Sequence, residues 1–343
     1  MLYSNLIRPL LFKLPAETAH DITIRQLELL QNSYVGRGFI KLLSGHIEPN
    51  PVQVMGLNFR HPVGLAAGLD KDAKVIRGLF QMGFSHIEVG TLTPKGQPGN
   101  DKPRLFRLKE DDALINRMGF NNEGSIAASR RLKKRDPNWG VVGGNVGRNK
   151  ITNNENAIDD YIASMSHLRD YVDYFTVNIS SPNTPGLREL QQEEVLKNLL
   201  TKISDDNSKS LKPRPLAVKI SPDLSKQEVQ SISRLAVTCG FNGIIGTNTT
   251  VNRIGLKTKA NRIKDAGSGG LSGRPLTRHS TDVVAWIKEA VGDSAAVIGV
   301  GGIFNAQDVI DKRNAGADLV QIYTGFVYNG PSMLNNIQEA WIK

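Results

Sequence analysis

The chain has 343 residues, of which 39% are hydrophobic and 22% charged, so it can bury one large core and is not a disordered polymer. Its single cysteine, Cys239, excludes a disulfide framework, a cysteine-ligated zinc site and an iron–sulfur cluster within this chain. The net charge of +10 suits nucleic acid, an anionic membrane surface or a small anionic substrate, but only residues 130–135 are densely basic. Such a cluster is more often a solvated helix face than a nucleic-acid site.

The first 45 residues carry apolar side chains at helical spacing, in two groups. The groups are Leu2, Leu6, Ile7, Leu10, Leu11 and Leu14, then Ile22, Leu27 and Leu30. We expect two short amphipathic helices. Because Arg8, Lys13 and Pro15 interrupt the first group, it falls short of the roughly 20 apolar residues that cross a bilayer. The helix pair can lie in the lipid interface or pack on its own domain as a cap, and the pattern leaves both open.

Eight short apolar segments follow, and amphipathic helical stretches alternate with them. The segments are residues 63–67, 86–91, 141–146, 174–180, 216–221, 243–248, 296–301 and 319–323. Their near-continuous apolar character is typical of parallel strands that are covered on both faces. Eight βα units predict an α/β fold of the closed (β/α)₈ TIM-barrel type, with an N-terminal two-helix extension. An open, doubly wound Rossmann-like sheet is the alternative.

The carboxyl ends of these strands are polar and glycine-rich, and barrels assemble their active sites on that face. Gly301 and Gly302 follow the seventh strand and Gly325 the eighth, a pattern typical of a phosphate site made by backbone N–H groups. The glycine-dense loop 267–273 is predicted to wrap a ligand.

The remaining polar residues at the strand ends are mainly lysines, asparagines and hydroxyl-bearing residues. They include neither a metal-ligand cluster nor a carboxylate pair, which argues against metal-assisted hydrolysis and glycosidase chemistry. Asparagine amides both donate and accept, so they suit a heterocycle with alternating C=O and N–H edges. Lysines beside such a ring hold an anionic group or stabilise charge that develops during reaction.

Five segments resemble the signature sequences of dihydroorotate dehydrogenases. They are AAGLDKD (66–72), NRMGFNN (116–122), NISSPNTPGLR (178–188), GGLSGRPL (269–276) and IGVGGI (298–303). The first and last are shared with related flavin barrels, whereas the second and third together are specific. The resemblance implies FMN as the prosthetic group and oxidation of (S)-dihydroorotate to orotate in pyrimidine biosynthesis. It also implies that residues 46–343 form the catalytic barrel domain and residues 1–45 an N-terminal extension.

The resemblance assigns two overlapping sets of binding residues. For FMN they are Ala67, Gly68, Lys71, Thr91, Asn145, Asn178, Lys219, Thr247, Gly273, Gly302, Tyr323 and Thr324. For dihydroorotate they are Lys71, Asn116, Arg117, Met118, Gly119, Phe120, Asn178, Asn183, Asn248 and Thr249. Both sets agree with the strand ends that the pattern selects.

The resemblance makes Ser181 the catalytic base, which takes a proton from C5 of dihydroorotate while a hydride leaves C6 for the flavin. An unaided serine is a poor base, so the hydroxyl needs desolvation and a proton relay, for which Thr184 is the candidate. Lys219 would stabilise negative charge on the flavin ring, and Lys71 would favour the anionic substrate. Without the motif, Ser181 would be read as a hydroxyl that terminates a strand.

The branch of the family follows from Ser181, because the soluble branch resembles this barrel but uses a cysteine base. The resemblance therefore points to the quinone-linked branch, whose N-terminal helices dock on the membrane and channel quinone to the flavin. His20, Arg107 and Tyr323 are the candidates for the quinone path. We expect peripheral association with the cytoplasmic face of the inner membrane, no iron–sulfur partner subunit and no nucleic-acid partner. The alternatives are a flavin barrel that reduces a uracil ring and a catalytically idle barrel that binds membranes or nucleic acid.

Overall fold

The structure is a computed structural model that describes residues 2–45 and 47–342. Its strands are β1 (Val52–Val54), β2 (Leu57–Phe59), β3 (Val63–Leu65), β4 (His86–Leu92), β5 (Leu105–Leu108), β6 (Ala113–Asn116), β7 (Val141–Val146), β8 (Tyr174–Asn178), β9 (Leu216–Ile220), β10 (Gly243–Gly246), β11 (Gly270–Gly273), β12 (Ala296–Val300) and β13 (Leu319–Ile322).

Its α-helices are α1 (Arg8–Leu11), α2 (Ala16–Gln31), α3 (Tyr34–Ser44), α4 (Ile76–Gln81), α5 (Ser125–Leu132), α6 (Ala157–Leu168), α7 (Glu193–Ser208), α8 (Lys226–Thr238), α9 (Ala260–Ala266), α10 (Thr277–Val291), α11 (Ala306–Asn314), α12 (Thr324–Asn329) and α13 (Met333–Ile342). A π-helical turn, Tyr3–Ile7, precedes α1, and the 3₁₀ turns are Lys109–Asp111, Pro137–Trp139, Asn154–Asn156, Leu187–Gln191 and Arg274–Leu276.

The eight predicted strands form a closed parallel barrel, in the order β3, β4, β7, β8, β9, β10, β12, β13. The circle closes where β13 pairs with β3, with Val320 opposite Val63 and Ile322 opposite Leu65. The TIM-barrel prediction is therefore confirmed, and the open-sheet alternative is wrong because it would leave two strand edges unpaired. Closure brings all eight carboxyl ends to one mouth of the barrel.

A short hairpin covers the opposite, amino-terminal end of the barrel. Its strands β1 and β2 pair antiparallel, and Val54 and Phe59 pack against the residues that fill the barrel interior. The ring of Phe59 meets the buried His86 edge to face, with 5.2 Å between ring centroids. Burial lowers the pKa of His86 to about 3, so its imidazole is a neutral part of this core. The hairpin thus closes one end and leaves the mouth as the place for a ligand.

A small antiparallel sheet stands beside the mouth, formed by β5, β6 and β11 in the order β11–β6–β5. The predicted glycine-dense loop 267–273 is therefore partly a strand, since Gly270–Gly273 pairs with β6. Glycine is needed there because a Cβ on Gly273, whose φ is +107°, would lie 2.3 Å from the carbonyl oxygen of Asp112. Part of this loop is therefore held against β6, and its role in wrapping a ligand stays a prediction.

The N-terminal extension contains the two predicted helical segments, now residues 3–11 and α2, and a further helix, α3, that the pattern did not predict. Polar contacts tie it to the barrel: for example, Glu17 pairs with Arg104 at 2.9 Å, and the Gln31 amide donates to the Lys74 carbonyl at 2.7 Å. In the two described ranges, no helix has the length and apolar character that crossing a bilayer requires. The division at residues 45 and 46 stays a prediction, and its limits at residues 1, 46 and 343 lie outside the described residues.

Candidate active site

A polar cavity occupies the mouth of the barrel and gathers most of the predicted site. Among the predicted flavin contacts, its walls contain Ala67, Gly68, Lys71, Thr91, Asn178, Lys219, Thr247, Gly273, Gly302, Tyr323 and Thr324. Among the predicted substrate contacts they further contain Asn116, Met118, Gly119, Phe120, Asn183, Asn248 and Thr249. The proposed base, Ser181, also lines this cavity. Residues from distant parts of the barrel sequence thus line one cavity.

Three of the predicted flavin, substrate and catalytic residues do not line the cavity. Asn145 lies behind Thr91, whose hydroxyl donates to the Asn145 Oδ1 at 2.5 Å. Arg117 turns outward, because its guanidinium donates to the Pro103 carbonyl at 2.9 Å and stacks over the Phe106 ring. Thr184 is buried in the loop after β8, and its Oγ1 has no hydrogen-bond partner among the described residues.

A buried carboxylate that the sequence reasoning missed, Glu88, lies inside the barrel on β4. Its Oε1 accepts from the Asn145 amide at 2.7 Å and lies 4.0 Å from the Lys219 ammonium. Its Oε2 accepts from three further donors: the Tyr174 hydroxyl at 3.2 Å, the Thr176 hydroxyl at 3.0 Å and the Gln321 amide at 3.0 Å. Four hydrogen bonds and one cation offset the cost of burying this charge. The available signal was one acidic residue in an otherwise apolar strand.

Two lysines bring positive charge to the cavity wall. Burial lowers the pKa of Lys219, and the neighbouring Glu88 opposes that shift. Burial likewise lowers the pKa of Lys71, against the attraction of Asp72 and Glu17. Among the described residues, neither ammonium donates a hydrogen bond to another protein group, so both keep their donors for a ligand. An anionic or electron-rich ring fits between them.

A chain of amides and hydroxyls connects the ends of β4, β7, β8 and β10. The Asn178 amide donates to the Thr91 hydroxyl at 2.9 Å, and its Oδ1 accepts from the Asn248 amide at 3.2 Å. Asn248 also donates to the Ser180 hydroxyl at 2.9 Å. On the other side of the cavity, Asn183 donates to the Asn116 Oδ1 at 2.9 Å. Because each amide is held by another, their free edges are fixed in orientation before a ligand arrives.

The loop that carries Ser181 is fastened from outside the cavity. The Arg188 guanidinium donates to the carbonyls of Ser180 and Thr249, both at 3.2 Å, and pairs with Asp223 at 2.8 Å. Ser181 is 5% exposed, and its Oγ accepts from the Asn183 backbone N–H at 3.3 Å. The Ser181 hydroxyl therefore lies desolvated at the cavity wall, and its own proton has no acceptor within residues 2–45 and 47–342.

Two backbone N–H groups that have no protein acceptor within the described ranges lie where the glycine pair predicts an anion site. Hydroxyls of α10 hold the Gly301 and Gly302 carbonyls, from Ser280 at 2.9 Å and Thr277 at 2.8 Å. In a trans peptide the N–H points opposite to the C=O, so the N–H groups of Gly302 and Ile303 point away from α10. Both residues line the cavity, and among the described residues neither N–H has a protein acceptor. This arrangement fits a phosphate group.

A second cavity, of about 290 Å³, lies between the N-terminal helices and the barrel, and its lining is almost wholly apolar. Arg107 and Tyr323 line it, as does His20, so all three predicted quinone-path residues meet there. Burial and the charge of Lys71 lower the pKa of His20 to about 3, which keeps its imidazole neutral. The Arg107 guanidinium is partly used in an internal hydrogen bond, because it donates to the Leu14 carbonyl at 2.7 Å.

The two cavities meet at shared walls. His20, Leu105, Leu114 and Tyr323 line both of them. A ligand in the polar cavity and an apolar ligand under the helices would therefore be separated by little more than these side chains.

Comparison with known proteins agrees with this geometry. A sequence model of the family described as dihydroorotate dehydrogenase matches residues 51–342. The dihydroorotate dehydrogenase (quinone) of Christiangramia forsetii is 48% identical over 344 residues, which cover 98% of this chain and 98% of that protein. The enzyme of the same name from Marinobacter nauticus is 46% identical over 340 residues, with 98% of each chain covered.

A solved structure gives the same likeness in three dimensions. The chain superposes on the dihydroorotate dehydrogenase of Eimeria tenella, crystallised with ferulenol, with a TM-score of 0.84 and 35% sequence identity. The match covers 95% of this chain and 90% of that one, so it includes the barrel and most of the N-terminal extension.

We predict that Glu88→Gln destabilises the protein, because an amide NH₂ would face the donors that now share a carboxylate. Losing one partner of a buried charge pair costs about 3–5 kcal/mol, which urea denaturation of the full chain measures. The control is Glu289→Gln, which breaks an exposed pair with Lys226 and should leave the denaturation midpoint unchanged. Equal midpoints for the two variants would show that the Glu88 network contributes nothing to stability.

Proposed function

The chain belongs to the dihydroorotate dehydrogenase family, and on that premise we propose that it oxidises (S)-dihydroorotate to orotate in pyrimidine biosynthesis and passes the electrons to a membrane quinone. The observation that carries the proposal is the convergence of Ser181, Lys71, Lys219 and paired asparagines on one desolvated cavity beside an apolar one. Family membership implies a flavin.

We infer that this flavin is FMN. The fit rests on two separate features: Lys219 and the amide chain at the cavity wall suit the ring, while the free N–H groups of Gly302 and Ile303 suit a terminal phosphate. When bound, the flavin supplies the two-electron chemistry, as it accepts the hydride equivalent from dihydroorotate and delivers its electrons to quinone. The protein supplies position, charge and proton transfer.

Ser181 is the proposed base for the C5 proton of dihydroorotate. Its hydroxyl is buried and its proton is uncommitted, so it can pass that proton on as it takes one from the substrate. We propose that the proton then passes through a water to the buried Oγ1 of Thr184, which has no hydrogen-bond partner among the described residues. Lys71 holds the anionic substrate, and the amides of Asn116, Asn178, Asn183 and Asn248, with the Thr249 hydroxyl, orient its ring.

Quinone is the proposed occupant of the apolar cavity. A quinone ring is flat and apolar apart from two carbonyls, so it suits walls of this kind with a neutral His20 and the Tyr323 hydroxyl near the flavin side. Burial raises the pKa of Tyr323 to about 12, so it stays a neutral donor. Arg107 lies at the same cavity and holds the end of the first helical segment in place.

The proposed route for quinone into that cavity is from a membrane. The N-terminal helices expose the large apolar side chains Leu2, Leu6, Leu10, Leu14, Ile22, Leu29, Tyr34, Val35, Phe39 and Leu42. Basic residues lie between them, including Arg25 and Lys41, which suits an anionic bilayer surface. We therefore propose peripheral association with the cytoplasmic face of the inner membrane, through residues 1–45.

We predict that Ser181→Ala keeps the flavin and slows dihydroorotate oxidation at neutral pH by about 10²–10⁴-fold, because the proton acceptor is lost while the flavin contacts remain. Stopped-flow mixing without oxygen measures flavin bleaching by dihydroorotate, and a second mixing measures recovery with quinone. Recovery should keep its normal rate, which serves as the internal control. Bleaching at close to the wild-type rate would refute the assignment of the base.

We predict that replacing Tyr34, Val35 and Leu42 by serine reduces binding to anionic phospholipid vesicles by about tenfold or more, since three exposed apolar groups leave the interface. Vesicle co-sedimentation measures the change. The control replaces the equally exposed Ile151 and Leu211, which lie far along the chain from the helices. Equal loss in both variants, or none in the first, would contradict the proposed membrane face.

A further inference from the structure

One fully buried lysine has no place in the reaction described above. Lys312, on α11, is 0% exposed, and its ammonium donates to the Ser280 hydroxyl at 2.6 Å and the Thr281 hydroxyl at 2.7 Å. No ion pair joins it to an acidic group in the part of the chain that the structure describes. Burying an ammonium without a direct counter-ion destabilises the folded state, so a function for Lys312 would explain its presence.

The ammonium lies directly behind the anion site of the polar cavity. The Ser280 hydroxyl that accepts from Lys312 can itself donate to the Gly301 carbonyl at 2.9 Å. Hydrogen bonds in such a chain polarise one another, so the cation makes the Ser280 hydroxyl a stronger donor to the Gly301 carbonyl, and the Gly302 N–H of the same peptide becomes a stronger donor in turn. The positive charge of Lys312 thereby acts on the cavity through neutral hydrogen-bonding groups.

The packing here leaves the relay little freedom. A Cβ on Gly302 would lie 2.2 Å from the Thr277 hydroxyl, and one on Gly301 would lie 3.0 Å from the Ser280 side chain. Both glycines have positive φ, +117° for Gly301 and +69° for Gly302. The close approach of α10 to the glycine pair therefore depends on the absence of side chains, as the chain from Lys312 to the Gly302 N–H requires.

We propose that Lys312 is a positioning cation for the phosphate of the flavin, acting through Ser280 on the Gly301–Gly302 peptide, and that it makes the protein select FMN over flavins that lack a phosphate. The inference rests on the proposed function, because it takes the phosphate of FMN to lie at the free N–H groups of Gly302 and Ile303. It goes beyond that function by assigning a cofactor-selecting role to a residue outside the cavity.

The charge balance around Lys312 agrees with this role. Burial lowers the pKa of Lys312 to about 7, while the more distant carboxylates of Asp308, Asp282 and Asp311 act against that shift. The three carboxylates leave the charge incompletely compensated near neutral pH. A phosphate on the far side of the glycine pair would favour the ammonium form, and the ammonium in turn would favour the phosphate.

The test compares FMN with riboflavin, which has the same ring and no phosphate. Flavin is removed from the full-length protein by dialysis, and rebinding of each flavin is followed at one fixed pH by the quenching of its fluorescence. In Lys312→Met we expect FMN affinity to fall by about 10- to 100-fold and riboflavin affinity by less than about threefold, because the N–H donors to the phosphate lose the cation behind them while the contacts to the ring stay. Ser280→Ala, which breaks the relay and keeps the lysine, should reduce the preference in the same direction.

The control is Lys226→Met, which removes an exposed lysine paired with Glu289 and should leave both affinities unchanged. If Lys312→Met and Ser280→Ala keep the wild-type preference for FMN, the inference is wrong. If Lys312→Met weakens both flavins equally, the lysine has a structural role only, and the inference is again wrong. If Lys312→Met does not fold, Ser280→Ala decides alone. A wild-type protein without preference for FMN would instead refute the proposed cofactor itself.

Discussion

The site depends on one buried charge, the carboxylate of Glu88 at the centre of the barrel. Its two oxygens take hydrogen bonds from β7, β8 and β13, and it lies 4.0 Å from the Lys219 ammonium of β9. Four strands are thereby fixed relative to β4 through polar contacts that only one arrangement satisfies. Asn145 in turn accepts hydrogen bonds from Thr91 and Asn178 and so fixes their side chains at the cavity wall. The polar residues at the mouth of the barrel are thus held in place by the hydrogen-bond network of Glu88 inside the barrel.

Charge in this protein is placed behind neutral groups as well as beside the ligand space. Glu88 acts on the cavity through the Asn145 amide and faces Lys219, whereas Lys312 reaches it through a hydroxyl and a peptide. The charges of Glu88 and Lys312 thus act at short range without lining the cavity, whereas Lys71 and Lys219 face it directly. The apolar cavity continues from the same walls at His20 and Tyr323, so the polar and the apolar cavity share a boundary without sharing a space.

Patterns of period and position could predict the barrel and the face that carries the site, because the eight strands are near-continuously apolar and end in polar or glycine-rich residues. The individual flavin, substrate and catalytic residues came from the resemblance. The sheet of β5, β6 and β11 was not predicted, since glycine-rich β11 has no alternation to detect. Helix α3 was also missed, because Tyr34 and Leu42 are exposed and its glycines disturb the apolar face. Glu88 and Lys312 are single charged residues in ordinary elements, and only the fold shows what surrounds them. Arg117 was predicted as a substrate contact through the resemblance, as part of the segment 116–120, although its side chain turns outward.

We propose that dihydroorotate reaches the flavin site from the polar cavity and that quinone reaches it from the apolar cavity. An anaerobic titration of the yellow full-length protein tests it most directly. The account predicts that dihydroorotate bleaches the flavin absorbance, and that a quinone restores it whereas fumarate does not. Failure of dihydroorotate to bleach the protein, or recovery with fumarate alone, would contradict the account.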